Sequence, residues 1–280
     1  MASIMDFGKD WYNDASGQLR RADPLLMGAA FAFNALFAIV PLAIAFVSAL
    51  TMFDWTQQIV ADLVEAMNEA LPQDVALFLT QIVDESVSAV EDNRVIILFI
   101  SVPIALWSGS RAVYTVQKAL RLIDDSGEEI GYVRMRVTGI LVTFGAGVAV
   151  VVAYVLGVMG RTFFETVARE FGRQSQARAQ LVMLAVAVLW VFMLLYVVYR
   201  WGAPEPVPKT AATSMLVTVV LFAGSWFALN LLPSEASASI AVFGAMGVIL
   251  FWLYAVGIVI VGAPIAIGSL MRVLSSDRHR

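Results

Sequence analysis

Six long stretches without a charged side chain divide this chain of 280 residues. A charged side chain at the centre of a bilayer costs about 2.5 to 3.5 kcal/mol or more, and a helix needs roughly 20 apolar residues to cross. The stretches therefore predict six membrane-spanning helices. They cover residues 24–53, 95–110, 137–160, 179–199, 210–234 and 236–271.

The composition agrees with a chain that lies mostly in lipid. Hydrophobic residues make up 60% of it and charged residues only 14%. Backbone groups in lipid must be bonded within the protein, and long unbroken apolar runs favour helices over the alternating strands of a barrel. We expect an all-α fold, a polytopic membrane helical bundle that forms one domain over 1–280. Its spans should lie near 27–53, 95–110, 137–160, 179–199, 210–232 and 240–270.

An external amphipathic helical hairpin is predicted between the first two spans, over 55–92. Apolar residues recur at helical spacing through Ile59, Leu63 and Met67, and Pro72 separates this segment from a second amphipathic one. Two interpretations stay open. The hairpin either covers the bundle or lies in the membrane interface, or it acts as a gate.

The distribution of basic residues predicts the orientation. With the N-terminus inside, 13 of the 18 Lys and Arg residues fall on cytoplasmic segments and five fall outside. Lys and Arg favour the cytoplasmic side of spans. We therefore expect a multi-pass protein of the cell (inner or plasma) membrane with both termini in the cytoplasm.

The second apolar run is too short for a complete span. Its 16 residues reach about 24 Å, against a hydrocarbon core of about 30 Å. Either the helix continues with Arg111 facing a wet cavity or the membrane surface, or the bilayer thins locally. Arg111, Lys118 and Arg121 then fall near one face of a cationic juxtamembrane helix.

Most catalytic chemistry is missing from the sequence. The chain has no cysteine and one histidine, His279, beside its end. Common zinc sites and a Ser-His-Asp triad therefore lack their residues, and we predict no catalytic, cofactor or metal site. The apolar runs contain no acidic or basic side chain, which argues against a proton relay but leaves a passive pathway open. That pathway would use Asn34, Ser48, Thr51, Ser101, Ser108 and Ser110.

Three segments carry a family resemblance. Residues 27–41 read MGAAFAFNALFAIVP, 106–112 read LWSGSRA and 243–254 read FGAMGVILFWLY. In this order they resemble the YihY/BrkB family of membrane proteins. The resemblance implies six spans and a role in envelope integrity or in moving lipids. Members were once labelled ribonuclease BN, a label regarded as mistaken. Many members end the last motif with Gly-Ala-Glu, whereas this chain has Pro264 there.

These motifs, with Lys118 added from the cationic helix, supply the predicted ligand or pathway residues. Asn34 and Pro41 mark either a broken helix at a binding site or ordinary helix packing, and aromatic residues near span ends commonly form an interface belt. The predicted residues are Asn34, Pro41, Trp107, Ser108, Arg111, Lys118, Trp252 and Tyr254.

Two functions from different classes follow. The first is handling or translocation of lipids or other envelope amphiphiles, in which Arg111 would pair with phosphate. The second is a non-catalytic scaffold for envelope assembly, with a second copy or envelope proteins as partners. A nuclease would need metal ligands or acids over a basic surface, so we expect no enzyme and no nucleic acid partner.

Overall fold

A computed structural model describes residues 4–50, 61, 64–65, 67–68, 73–90, 94–123, 131–149, 173–202, 207, 210–231 and 238–277. All regular structure in these ranges is helical, which confirms the all-α prediction for this part of the chain. Eight continuous helices are numbered here in chain order. They are α1 (Ile4–Ala22), α2 (Pro24–Leu50), α3 (Gln73–Val90), α4 (Arg94–Ile123), α5 (132–149), α6 (Arg173–Trp201), α7 (Thr210–Leu231) and α8 (Ala238–Asp277).

Four helices in the described ranges are long and apolar enough to cross a membrane. At most 28% of the most apolar window in any of them is fully buried in the protein, which leaves part of this apolar surface available to lipid. Helix α7 contains a shorter apolar stretch, Thr210–Trp226. The third predicted span, 137–160, is described only as far as 149, and the count of six stays a prediction. The four are Pro24–Phe46, Val95–Ile123, Leu184–Trp201 and Met246–Leu274.

Asp23 connects α1 to α2. Its backbone has a φ of 38°, in the left-handed region that Asp tolerates better than most residues. Its Oδ1 accepts a hydrogen bond from the N–H of Leu26 at 3.1 Å, as an N-cap does. Pro24 follows at the first helical position, where its missing N–H removes nothing. The chain can therefore begin α2 directly after α1.

Helix α2 lies at the centre of the described bundle, against α3, α4 and α8. Two glycines allow its closest approach to α8. A Cβ at Gly257 would lie 2.8 Å from the Cα of Gly28, so only hydrogen fits between the backbones. Gly247 and Gly262 meet no described atom within 4 Å. The close contact of α2 with α8 therefore lies at Gly28 and Gly257, and not at these two glycines.

The larger apolar core joins α4, α5, α6, α7 and α8 around Tyr199, which is fully buried. The hydroxyl of Tyr199 donates a hydrogen bond of 2.7 Å to the carbonyl of Ile260. In a regular helix that carbonyl would accept from residue 264, but Pro264 has no N–H. Tyr199 thus replaces the hydrogen bond that Pro264 removes from α8.

Helix α4 continues without interruption past Ser110 to Ile123. Its 30 residues extend about 45 Å, longer than the membrane core. The short apolar run is therefore part of a longer helix, and Arg111 lies exposed along it. Of the predicted hairpin, α3 is described and packs against α2 and α8. Most of the first half lies outside the described residues, and the hairpin stays a prediction.

Candidate functional site

An apolar groove of about 830 Å³ lies between α2, α3 and α4. Several lining side chains are about half exposed, among them Phe37 (60%) and Ile100 (56%). The groove is consequently open along one side of the bundle. Its polar lining residues are few. They are Asn34, Ser101, Ser108 and Arg111.

A second cavity, of about 500 Å³ and named here the basic pocket, adjoins the groove between α2, α4 and α5. Asn34 and Arg111 line both cavities, so the two meet at these side chains. No acidic side chain occurs among the described residues that line the basic pocket. The pocket is lined by Leu26, Met27, Ala30, Asn34, Arg111, Tyr114, Thr115, Lys118, Tyr132 and Arg136.

Arg136 is the most firmly held cation of the basic pocket. Its guanidinium carbon lies 4.0 Å from the centre of the Trp107 ring, a cation–π distance. Its Nη1 donates to Ser110 Oγ at 2.8 Å, and its Nε donates to the hydroxyl of Tyr132 at 3.0 Å. Arg136 is therefore fixed by groups from α4 and from its own helix, α5.

The polar groups of α2 and α4 also make local bonds. The Asn34 side-chain amide donates to the carbonyl of Ala30 at 2.7 Å, within α2. This leaves the Asn34 Oδ1 to accept a hydrogen bond from a ligand at the junction of the cavities. Thr115 Oγ1 donates to the carbonyl of Arg111 at 3.0 Å, one turn before it. These bonds fix the two side chains along the cavity walls.

Six of the eight predicted site residues come together at the two cavities. Pro41 and Ser108 line the groove, Lys118 lines the basic pocket, and Asn34 and Arg111 line both. The sixth, Trp107, stacks under Arg136.

The remaining two predicted residues lie elsewhere. A Cβ built on Gly224 of α7 would lie 3.9 Å from Trp252, and the carbonyl of Tyr254 lies beside Gly28 in the contact of α2 with α8. The structure places them in helix contacts outside both cavities. Any ligand role for Trp252 or Tyr254 stays a prediction from the motif alone.

Sequence reasoning did not single out Arg136 and Tyr132. In the sequence, Arg136 is only one of several basic residues between the second and third apolar runs. It precedes the third apolar run directly, at the position where positive-inside anchors are common. The spacing of Tyr132 and Arg136, four residues apart on one helical face, is the signal that could have suggested a stacked and hydrogen-bonded pair.

The described residues hold no group of three or more Asp, Glu or His side chains that could bind a metal ion. The chemistry of the site therefore comes from Arg, Lys, Tyr and Asn groups. Such groups bind anions and donate hydrogen bonds.

Comparison with protein families extends the description to most of the chain. The family model described as "Virulence factor BrkB" matches residues 15–270. The chain belongs to the BrkB family. The match includes every residue that lines the two cavities, so the site lies inside the region that defines this membrane protein family. No curated protein and no solved structure matches the chain.

Proposed function

We propose that this BrkB-family protein binds lipids or other envelope amphiphiles and moves them between the cytoplasmic and outer sides of the cell membrane. The protein does this without enzymatic chemistry. It uses six spans, with both termini in the cytoplasm and the hairpin that includes α3 on the outer side.

The observation that carries the proposal is the meeting of an apolar groove with the basic pocket at Asn34 and Arg111. An amphiphile has the same division into an apolar part and a polar part. Acyl chains in the groove would contact side chains such as Phe37 and Ile104, while the head group would lie near Arg111. The half-exposed groove wall supplies a lateral entry from the bilayer.

Contacts at the N-terminus support the proposed orientation. Asp14 of α1 pairs with Arg272 near the end of α8 at 3.1 Å. The Trp11 side chain donates to the carbonyl of Ala266 at 3.3 Å. The N-terminal helix therefore lies beside the C-terminal part of α8, as an even number of spans requires. Lys and Arg enrichment favours the cytoplasm for that side.

Scrambling of fluorescent phospholipids in liposomes tests the proposal. Dithionite quenches only the outer leaflet, so a lipid pathway raises the quenched fraction above that of protein-free liposomes. We expect Arg111→Ala to lower the scrambling rate about tenfold, because a hydrogen-bonded charge contact is lost. The matched control is Arg200→Ala, because Arg200 is exposed at the end of α6 and lines neither cavity.

A second variant tests the groove independently. Ile104→Trp adds volume at a lining position that is 49% exposed and has room to accept it. We expect it to slow scrambling several-fold without changing the net charge. Scrambling at the wild-type rate in both variants, or none by the wild-type protein with several lipid classes, would reject the proposal. The scaffold function would then become the better interpretation, and a stoichiometric partner should copurify.

A further inference from the structure

We propose that the basic pocket binds the phosphate of ligands with a net negative charge, and that Arg136 is the residue that orients it. The inference rests on the proposed function, since a lipid head group is the phosphate source that the adjoining groove favours. It adds a substrate class, anionic rather than zwitterionic amphiphiles, and a specificity-determining residue.

The charge of the lining sets this preference. Arg111, Lys118 and Arg136 contribute three positive charges, and no described lining residue is acidic. A phosphate would neutralise part of this charge at short range. A choline or ethanolamine head group would bring its own cation among the three, and no carboxylate of the lining offers that cation a partner. The pocket therefore favours head groups that carry no ammonium.

The hydrogen bonds of Arg136 leave defined donors for the ligand. A guanidinium has five N–H groups, and Arg136 uses one at Nε and one at Nη1 on Tyr132 and Ser110. Three N–H groups remain, two of them on Nη2. The N–H bonds of a guanidinium lie in its own plane, and the Trp107 ring, 4.0 Å from the guanidinium carbon, helps to hold that group in place. A planar fork of this kind matches two oxygens of a phosphate.

The two hydroxyl groups that hold Arg136 act differently. Ser110 Oγ donates its proton to the carbonyl of Trp107 at 2.8 Å, so it can only accept from Arg136. The Tyr132 hydroxyl accepts from Arg136 and keeps its proton for another acceptor in the basic pocket. Tyr132 therefore adds a neutral donor beside the Arg136 fork.

Close packing between α4 and α5 keeps this geometry. A Cβ at Gly139 would lie 3.1 Å from the carbonyl oxygen of Ser110, so the glycine sets the distance at which Ser110 can reach Arg136. Ser110 is fully buried. The guanidinium of Arg136 is thus held by Ser110 from the helix contact, and Arg136 lines the basic pocket.

Lipid selectivity of the full chain in detergent tests the inference. Native mass spectrometry would compare phosphatidylglycerol with phosphatidylcholine of the same acyl chains. We expect wild-type protein to prefer phosphatidylglycerol about tenfold, and Arg136→Gln to lose most of this preference, because it removes one of the three positive charges together with the guanidinium fork. Trp107→Leu should lower the preference about threefold, because the stacking that fixes Arg136 is lost. The matched control is Arg134→Gln, since Arg134 is exposed on the same helix and does not line the pocket.

The outcomes separate this inference from the proposed function. Equal binding of both lipids by wild-type protein, or a preference unchanged by Arg136→Gln, overturns the inference while lipid binding itself stands. Failure to bind either lipid overturns both. A further arm adds glycerol 3-phosphate and inorganic phosphate. If they compete at concentrations near that of the lipid, a phosphate site is supported but its source is a soluble anion, and the lipid function fails.

Discussion

Loss of the Tyr199 hydroxyl should destabilise the protein because of Pro264. The carbonyl of Ile260 has no intrahelical donor four residues later, and the Tyr199 hydroxyl supplies one at 2.7 Å. Tyr199→Phe keeps the ring and its packing but leaves that carbonyl unpaired in a fully buried place. A buried polar group without a partner costs about 1–3 kcal/mol, and we expect Tyr199→Phe to lower the free energy of unfolding by that amount.

A double-mutant cycle isolates the cause. Pro264→Ala restores an N–H at position 264, which can donate to the Ile260 carbonyl in the regular helical pattern. Tyr199→Phe should then cost less, and the coupling between the two sites should be about 1 kcal/mol or more. The control is Tyr196→Phe, one turn away on α6 and only partly buried, which should change stability by less than about 0.5 kcal/mol.

Unfolding by SDS in mixed micelles, followed by tryptophan fluorescence, provides the measurement. All four members of the cycle and the Tyr196 control would be compared in one detergent at one protein concentration. An equal cost of Tyr199→Phe in the wild-type chain and in the Pro264→Ala variant would refute the reasoning, because the hydroxyl would then contribute independently of the proline.

Two further predictions concern packing and topology. Gly257→Ala should lower stability by about 1–3 kcal/mol in the same unfolding assay, because its Cβ would lie 2.8 Å from Gly28 Cα. Gly262→Ala should not lower stability, because a Cβ there meets no described atom within 4 Å. Equal losses of stability in the two variants would contradict the close contact between Gly257 and Gly28. The chain has no cysteine, so single cysteines can report the topology. If α3 lies outside, Gln81→Cys should react with an impermeant maleimide in intact cells, whereas Arg134→Cys should react only after lysis. The reverse result would contradict the proposed topology.

The helical class and the long apolar helices α2 and α4 followed from the sequence because lipid imposes simple rules. A charge-free run such as 24–53 has few alternatives to a helix, and Asp23 with Pro24 marks where that helix begins. Charge gaps were a poorer guide at the end of α4. The charge gap alone ends at Ser110 and left two alternatives, and the structure has the one in which the helix continues past Arg111, as far as Ile123. A charged side chain beside a polar cavity does not interrupt hydrogen bonding along the backbone.

The candidate site was only partly predictable, for a related reason. Asn34 and Arg111 stand out as polar residues in or beside apolar runs, and the structure places them at the junction of the two cavities. Arg136 is 25 residues further along and belongs to a helix whose contact with α4 no local pattern indicates. Its role depends on Trp107 and Ser110 across that contact, and single-residue features cannot predict such pairs.

One stripe along α4 explains why both cavities meet there. Ile104, Ser108, Arg111, Thr115 and Lys118 follow one another at steps of four, three, four and three residues, and each lines a cavity. Such steps keep residues on one helical face. The stripe changes from apolar to cationic along its length, so a ligand aligned with α4 meets apolar groups at one end and cations at the other. A soluble anion would use only the cationic half, which is why the groove variant Ile104→Trp and the pocket variant Arg136→Gln together distinguish an amphiphile from a free phosphate.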